Sequence, residues 1–246
     1  MREWVFLSTH FDDVVLSVGG MIWELAHVGD KVSVWTVCAG DPPFGKALSE
    51  YALQLHGIWG IGDDVPIKRC QEDIDSCRVL MVSSTLRFTI PDIIYRYIPG
   101  KDEPVIKKNE DLKNPLEISE SYLVPITADL LRKNLLKEQE LVVPLSIGSH
   151  RDHVLTRKAA EMLEIQPWYY IDLPYMVKGD YSLSEWVPPQ AEMFTVNISA
   201  EGLKAWQDSV ACHRSQIPLL FSDEQDMRDS IIKFCLAGYG NKIWRF

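Results

Sequence analysis

Positive charge is scarce in this 246-residue chain: 25 Lys and Arg stand against 35 Asp and Glu, a formal net charge of −10. Nucleic acids and anionic membrane surfaces both require a basic face, so neither is expected as a partner, a local basic patch aside. Long apolar runs are also missing. None reaches the ~20 residues of a membrane span. Met1-Arg2-Glu3-Trp4 leads directly into an apolar stretch with no signal-peptide core or small-residue cleavage site, so the expected location is the cytoplasm. Cysteine is limited to Cys38, Cys70, Cys77, Cys212 and Cys235. An odd, scattered set with no CxxC pair argues against a disulfide framework and reads as free thiols in a reducing compartment. No repeat, low-complexity tract or Pro/Gly/Ser linker divides the chain. A single domain over residues 1–246 is therefore expected, and 46% hydrophobic residues supply a sizeable core.

One stretch concentrates the chemistry. Trp4 to Leu7 reads as a short buried strand, His10-Phe11-Asp12-Asp13 as a polar turn, and Val14 to Val28, broken by Gly19 and Gly20, as a helix. In an open α/β sheet such a turn lies at the carboxyl end of a strand, where ligands usually bind. A phosphate-binding turn uses glycines and bare amides. Two carboxylates at the same place repel an anion and suit the helix dipole or a cation. His10 and Asp13, three residues apart, can converge on one metal ion, leaving Asp12 free as a base. The competing reading makes Asp12 or Asp13 an N-cap and His10 an ordinary polar residue. This stretch alone does not choose between them.

The remaining chain alternates strands and helices. Strands are expected at Lys31–Val37, within Met81–Ile90, and at Leu141–Leu145, Trp168–Ile171 and Met193–Ile198. Helices are expected at Ala47–Trp59, Val65–Val79, Ile118–Glu138 (with Pro125 starting it), from His150 to about Leu163, and at Ala200–Cys212 and Glu224–Leu236. Asp63 and Asp64 read as helix-end caps. The pattern predicts an α/β, Rossmann-like, mostly parallel sheet with helices on both faces. Residues 99–117, rich in proline and charge, form a loop insertion near the site, either a solvated surface loop or a lid.

A second strand is followed by His150-Arg151-Asp152-His153, repeating the strand, polar turn, helix order of the first motif. Both turns should open at one sheet edge, which makes the purely structural reading of each much harder to sustain. His10, Asp13 and His153 would supply two imidazoles and one carboxylate, the number a catalytic Zn2+ keeps while leaving a place for water. One such ion per chain would lower the pKa of that water and polarise a carbonyl. Asp12 would take the water's proton, and His150 would protonate the leaving nitrogen or steady the oxyanion. Asp152 would fix a histidine tautomer. Together these describe metal-assisted hydrolysis of an amide or ester.

Ser8-Thr9-His10-Phe11-Asp12-Asp13-Val14 with Gly19-Gly20, and His150-Arg151-Asp152-His153, resemble the two motifs of the PIG-L/LmbE-like zinc-dependent N-deacetylases. Arg69-Cys70-Gln71-Glu72 resembles the R-x-x-E helix of that family, and His213-Arg214-Ser215-Gln216 its C-terminal S-Q element. The resemblance implies a Rossmann-like fold and zinc on His10, Asp13 and His153, with Asp12 as base and His150 assisting the transition state. It further implies Asp92 and Arg69 as substrate contacts, and an N-acylated amino-sugar conjugate of the N-acetylglucosamine type as substrate.

Four positions depart from the family pattern. Phe11 stands for proline and Val14 for glutamate. Arg151 stands for proline and places a cation where it would meet an anionic substrate group. Gly148 stands where some members have a tyrosine near the oxyanion, so a donor there must come from elsewhere. Among the aromatics, Trp59, Trp168, Tyr169 and Tyr175 read as core, and His27, His56 and His213 as structural. Two rival functions remain. A two-metal phosphoesterase needs a second ligand set, for which few candidates exist beyond Asp152. A sugar-binding protein with a degenerate site is opposed by the retained Asp12.

Overall fold

A computed structural model describes every residue except Asp63 and Asn114. The strands β1 (Glu3–Ser8), β2 (Lys31–Thr36), β3 (Ser84–Arg87), β4 (Gln139–Pro144), β5 (Trp168–Tyr170), β6 (Glu192–Thr195) and β7 (Lys242–Arg245) form one sheet. Their order is β3-β2-β1-β4-β5-β7-β6. The pairs from β3 to β5 are parallel, while β7 runs antiparallel to both β5 and β6. The mostly parallel α/β sheet expected from the sequence is thus present. The last strand was not foreseen, because four residues at the chain end carry too little periodicity.

The helices are α1 (Asp13–His27), α2 (Glu50–Trp59), α3 (Val65–Val79), α4 (Leu123–Asn134), α5 (Arg151–Glu161), α6 (Tyr175–Lys178), α7 (Ala200–Ala211), α8 (Ile217–Leu220) and α9 (Glu224–Leu236). The chain leaves β1 toward β2 and leaves β4 toward β5, in opposite directions along the sheet. Right-handed crossovers then put α1 and α5 on opposite faces. In agreement, α7 packs on α1, α3 and α9, while α4 packs on α5. Among the described residues, no helix is long and apolar enough to cross a membrane.

Several expected boundaries shift for local reasons. The helix expected from Ala47 starts at Glu50, because the Ser49 hydroxyl accepts from the Ala52 amide at 3.1 Å and caps it. The helix expected from Ile118 begins at Leu123, with Pro125 in its first turn, where a missing N–H leaves no bond unmade. Asp63, expected as a cap, lies outside the described residues, and Asp64 precedes α3 without a side-chain cap bond. The 99–117 insertion is tied down by Ile106, buried in a second apolar cluster with Tyr51, Leu55, Trp59 and Tyr95.

Helix α1 carries a built-in irregularity. Val18 has non-helical angles (φ −140°, ψ 23°). The Trp206 indole of α7 donates to the Val15 carbonyl at 2.7 Å and the Leu16 carbonyl at 3.2 Å. A side chain inserted into the helical ladder is a recognised cause of a kink. A Cβ on Gly19 would lie 2.5 Å from the indole, and one on Gly20 2.8 Å, so the glycine pair makes room for it. Trp206 thereby fixes the helix that begins at the first polar turn. Trp206→Ala is expected to lower unfolding free energy by about 3–5 kcal/mol, read from the midpoint of urea denaturation.

Candidate active site

The turn after β1 is shaped by its own side chains. Ser8 Oγ donates to the His10 carbonyl and accepts from the Val14 amide. Asp13 Oδ2 accepts from the His10 amide at 2.7 Å and lies 3.1 Å from His10 Nδ1. Asp12 holds the N-cap position of α1, yet its side chain makes no cap bond. The capping reading of Asp12 therefore fails.

The turn after β4 has left-handed backbone at Ser146, Gly148 and Ser149 (φ 65°, 86° and 55°). Such residues cost about 1–3 kcal/mol each when not glycine and persist where surroundings enforce them. The Ile147 amide between them donates to Asp172 Oδ2 at 3.0 Å. The turn delivers His150 as the cap of α5, its Nδ1 accepting from the Asp152 amide at 3.2 Å. With Nδ1 an acceptor, the ring proton belongs on Nε2.

Because β1 and β4 are neighbours, the two turns meet. His153 Nε2 lies 3.3 Å from the same Asp13 oxygen that faces His10. Ligand atoms of His10, Asp13 and His153 all fall within 4.8 Å of one another, and all three residues are buried. The far nitrogen of each imidazole is held by a carboxylate: His10 Nε2 lies 3.1 Å from Asp152 Oδ2, and His153 Nδ1 2.8 Å from Asp172 Oδ1. This carboxylate–histidine pairing orients imidazoles toward a metal. Burial opposes charge on both histidines. The surrounding carboxylates overcome it, raising His10 well above its usual value and His153 to about 10. A place that draws protons this strongly draws a divalent cation by the same field. The donor set therefore fits a metal ion of the zinc class.

Asp12 behaves differently. Burial, reinforced by Asp13, pushes its carboxyl up to about 6, with Arg69 and His10 pulling the other way. Arg69 Nη2 sits 3.3 Å from Asp12 Oδ1 and Nη1 3.6 Å from Asp92 Oδ2, its guanidinium 4.6 Å over the Trp59 ring. Burial and the neighbouring histidines push His150 down to about 3, so its imidazole is neutral.

Seven of the nine candidate residues line one pocket of about 370 Å³: His10, Asp12, Asp13, Arg69, Asp92, His150 and His153. Asp152 lies behind it, bonded also by the Ile93 amide at 3.0 Å and ion-paired with Arg96 at 2.7 Å. Arg151 does not take the substrate-facing place expected of it. Its side chain is fully buried and paired with Glu120 and Glu117, so it meets protein carboxylates rather than a substrate anion. Position 151 is the first residue of α5 and is not among the residues lining the pocket that His150 and His153 face.

The R-x-x-E helix gains a physical reading. Arg69 reaches the pocket, while Glu72 accepts from the amide and hydroxyl of Ser215 at 2.9 and 2.5 Å, binding α3 to the segment that brings Gln216 to the pocket wall. Trp59 and Tyr175, read as core from sequence, also line the pocket, whereas Trp168 and Tyr169 are core. His27 is exposed and stacked on Trp23; His56 bonds the Tyr95 hydroxyl at 2.8 Å. His213 is buried beside Asp12 and Gln216. Asn109, Leu112 and Lys113 of the 99–117 insertion form part of the wall.

Sequence reasoning missed Asp172, Arg96 and Glu120. Asp172 had a readable signal: it lies two residues past the end of β5, at the strand end like the other two motifs. Arg96 and Glu120 had none, since they act only through Asp152 and Arg151.

Comparison with known proteins identifies the family. The family described as PIG-L, GlcNAc-PI de-N-acetylase, matches residues 5–163. A 2'-N-acetylparomamine deacetylase from Niallia circulans is 31% identical over 189 residues, 71% of this chain and 68% of that protein. The zinc-inhibited form of teicoplanin deacetylase Orf2 superposes with a TM-score of 0.85 at 27% identity, covering 99% of this chain and 97% of that one. The A40926 pseudoaglycone deacetylase Dbv21 shares the fold, with a TM-score of 0.75 at 22% identity over 99% of this chain and 96% of that one. On its two strand-end motifs, its fold and these likenesses, the chain belongs to the PIG-L family of de-N-acetylases.

Proposed function

We propose that this protein removes the N-acetyl group, or a related N-acyl group, from an N-acetylglucosamine-type sugar conjugate, using one zinc ion held by His10, Asp13 and His153. The observation that carries the reading is the division of labour at the first turn. Asp13 faces both imidazoles, while the adjacent Asp12 faces the pocket and Arg69 instead. A ligand and a spare base thus stand side by side.

Zinc, when bound, acidifies water and polarises the acyl carbonyl. The chain's own residues do the rest. Asp12 accepts a proton from the attacking water and returns it to the amide nitrogen as the C–N bond breaks, giving a carboxylate and a free amine. Burial and Asp13 raise this carboxyl above the usual carboxylate range, which suits a group that must both take and return a proton. Neutral His150, with its proton on Nε2, donates a hydrogen bond to the developing oxyanion. Asp152 and Asp172 hold the imidazoles of His10 and His153 in register. Asp92 and Arg69 contact sugar hydroxyls, and residues 109–113 of the insertion wall the conjugate's far end.

A single ion is supported by the second possible ligand trio, His10, His150 and Asp152. It shares His10 with the first trio, and its carboxylate is already neutralised by Arg96, so a two-metal phosphoesterase has no independent second site among the described residues. The free state of all five cysteines suits a reducing cytoplasm. The reading takes residues 1–246 as one catalytic domain.

The test is acetate release from a panel of N-acetylglucosaminyl conjugates, by metal-free protein and by protein reloaded with zinc. Activity should return with about one zinc per chain. Asp12→Asn should lower kcat by about 10²–10⁴-fold with zinc content unchanged; full activity in that variant would refute the assignment of the base. The pH profile gives a second check. Asp12 accepts a proton only when ionised, so kcat/KM rises as pH climbs through its pKa. Arg69 opposes the upward push on that pKa, so Arg69→Met should move the acid limb to higher pH, by up to about one unit. An unmoved limb would show that Asp12 is not the titrating base.

A further inference from the structure

The glycine at 148 leaves the site short of a side chain, and the structure shows what fills the gap. Gly148 has φ +86°, and a Cβ built on it would lie 2.5 Å from Cδ1 and 2.7 Å from Cγ of Tyr175. The Tyr175 ring therefore occupies the space that any residue at 148 would need. Either a side chain stands at 148 or this ring stands there, never both.

Tyr175 is held at that place from three sides. It follows Asp172 by three residues, and Asp172 is the carboxylate that fixes His153. The Tyr175 ring meets the His153 ring edge-on, 5.6 Å between centroids at 87°. Its backbone carbonyl accepts from the Gly179 amide at 2.8 Å, closing the short turn of α6. The side chain faces the same pocket as Asp12 and His150.

Several other polar groups of that wall are already engaged. Tyr51 donates to Asn109 and Lys178 to the Leu220 carbonyl. Gln216 donates to Ser215 Oγ, and Arg69 serves Asp12 and Asp92. No protein hydrogen bond engages the Tyr175 hydroxyl among the described residues. A phenol is protonated at neutral pH and donates. A neutral donor free of other duty, at the rim of a metal-ligand cluster, is what a developing oxyanion requires.

We infer that Tyr175 is a second oxyanion donor, its phenol hydrogen-bonding the tetrahedral oxygen formed from the acyl carbonyl, from a position vacated by the glycine at 148. The inference rests on the deacetylase reading above. His150 caps α5 and Tyr175 begins α6, and both line the pocket, so the two act as a pair.

Tyr175→Phe keeps the ring against Gly148 and His153 and removes only the hydroxyl. For an N-acetylglucosaminyl conjugate that the wild type hydrolyses, kcat should fall by about 10²–10³-fold, with KM within about twofold. Zinc affinity, measured by competition with a chromophoric chelator, should be unchanged. Affinity for a methylphosphonamidate analogue of the N-acetyl group, a tetrahedral anion, should fall by a factor comparable to the loss in kcat. Binding of the deacetylated amine product should not change. Wild-type kcat in Tyr175→Phe would overturn the inference, as would a loss confined to KM or a loss of zinc. Inactivity of the zinc-loaded wild type on every conjugate would overturn the deacetylase reading itself, and the inference with it.

Discussion

The site depends on one strand pairing. β1 and β4 lie side by side in parallel, Phe6 opposite Val142, although some 136 residues separate them. The sheet grows outward from this pair in both directions, to β2 and β3 on one side and to β5 on the other. The order of the chain therefore reverses between these two strands, and the helices that follow them diverge to opposite faces. A crevice at the carboxyl ends is the necessary result. The His/Asp cluster at its centre comes from the segments that follow adjacent strands: His10, Asp12 and Asp13 after β1, His150 and His153 after β4, and Asp172 after β5.

Charge explains why the crevice is built as it is. Asp12, Asp13, Asp92, Asp152 and Asp172 crowd around three imidazoles, and burial makes each ionised carboxylate costly unless it is paired. Arg96 answers Asp152, and Arg69 is shared between Asp12 and Asp92. Asp13 and Asp172 have only histidines, and those are driven toward the protonated state. A divalent cation between His10, Asp13 and His153 would supply the missing positive charge without requiring protons on the rings. Burial and the neighbouring Asp13 push the Asp12 carboxyl upward, which is what the proposed proton exchange would use.

Much of this was legible in the sequence because it is local. An apolar run, a His/Asp turn and a helix occupy consecutive residues, and two copies of that order sufficed to place His10, Asp13 and His153 together and to set Asp12 apart. Fold class followed from alternation alone. What was not legible depends on contacts distant in sequence. Arg151 looked like a substrate cation because nothing near it in sequence announces Glu120 as its partner. Tyr175 reads as core from sequence, and only its packing against Gly148 shows it as a wall of the site. Asp172 has its histidine partner 19 residues away, so sequence does not announce the pair.

The central claim is that residues from two adjacent strand ends hold one cation while a neighbouring carboxylate stays free. A crystal structure of the zinc-loaded protein, with anomalous data at the zinc edge, tests it directly. The account predicts one strong peak at about 2.0–2.2 Å from His10 Nδ1, His153 Nε2 and an Asp13 oxygen, with Asp12 outside bonding distance. A peak lacking His153, or one coordinated by Asp12, would contradict it.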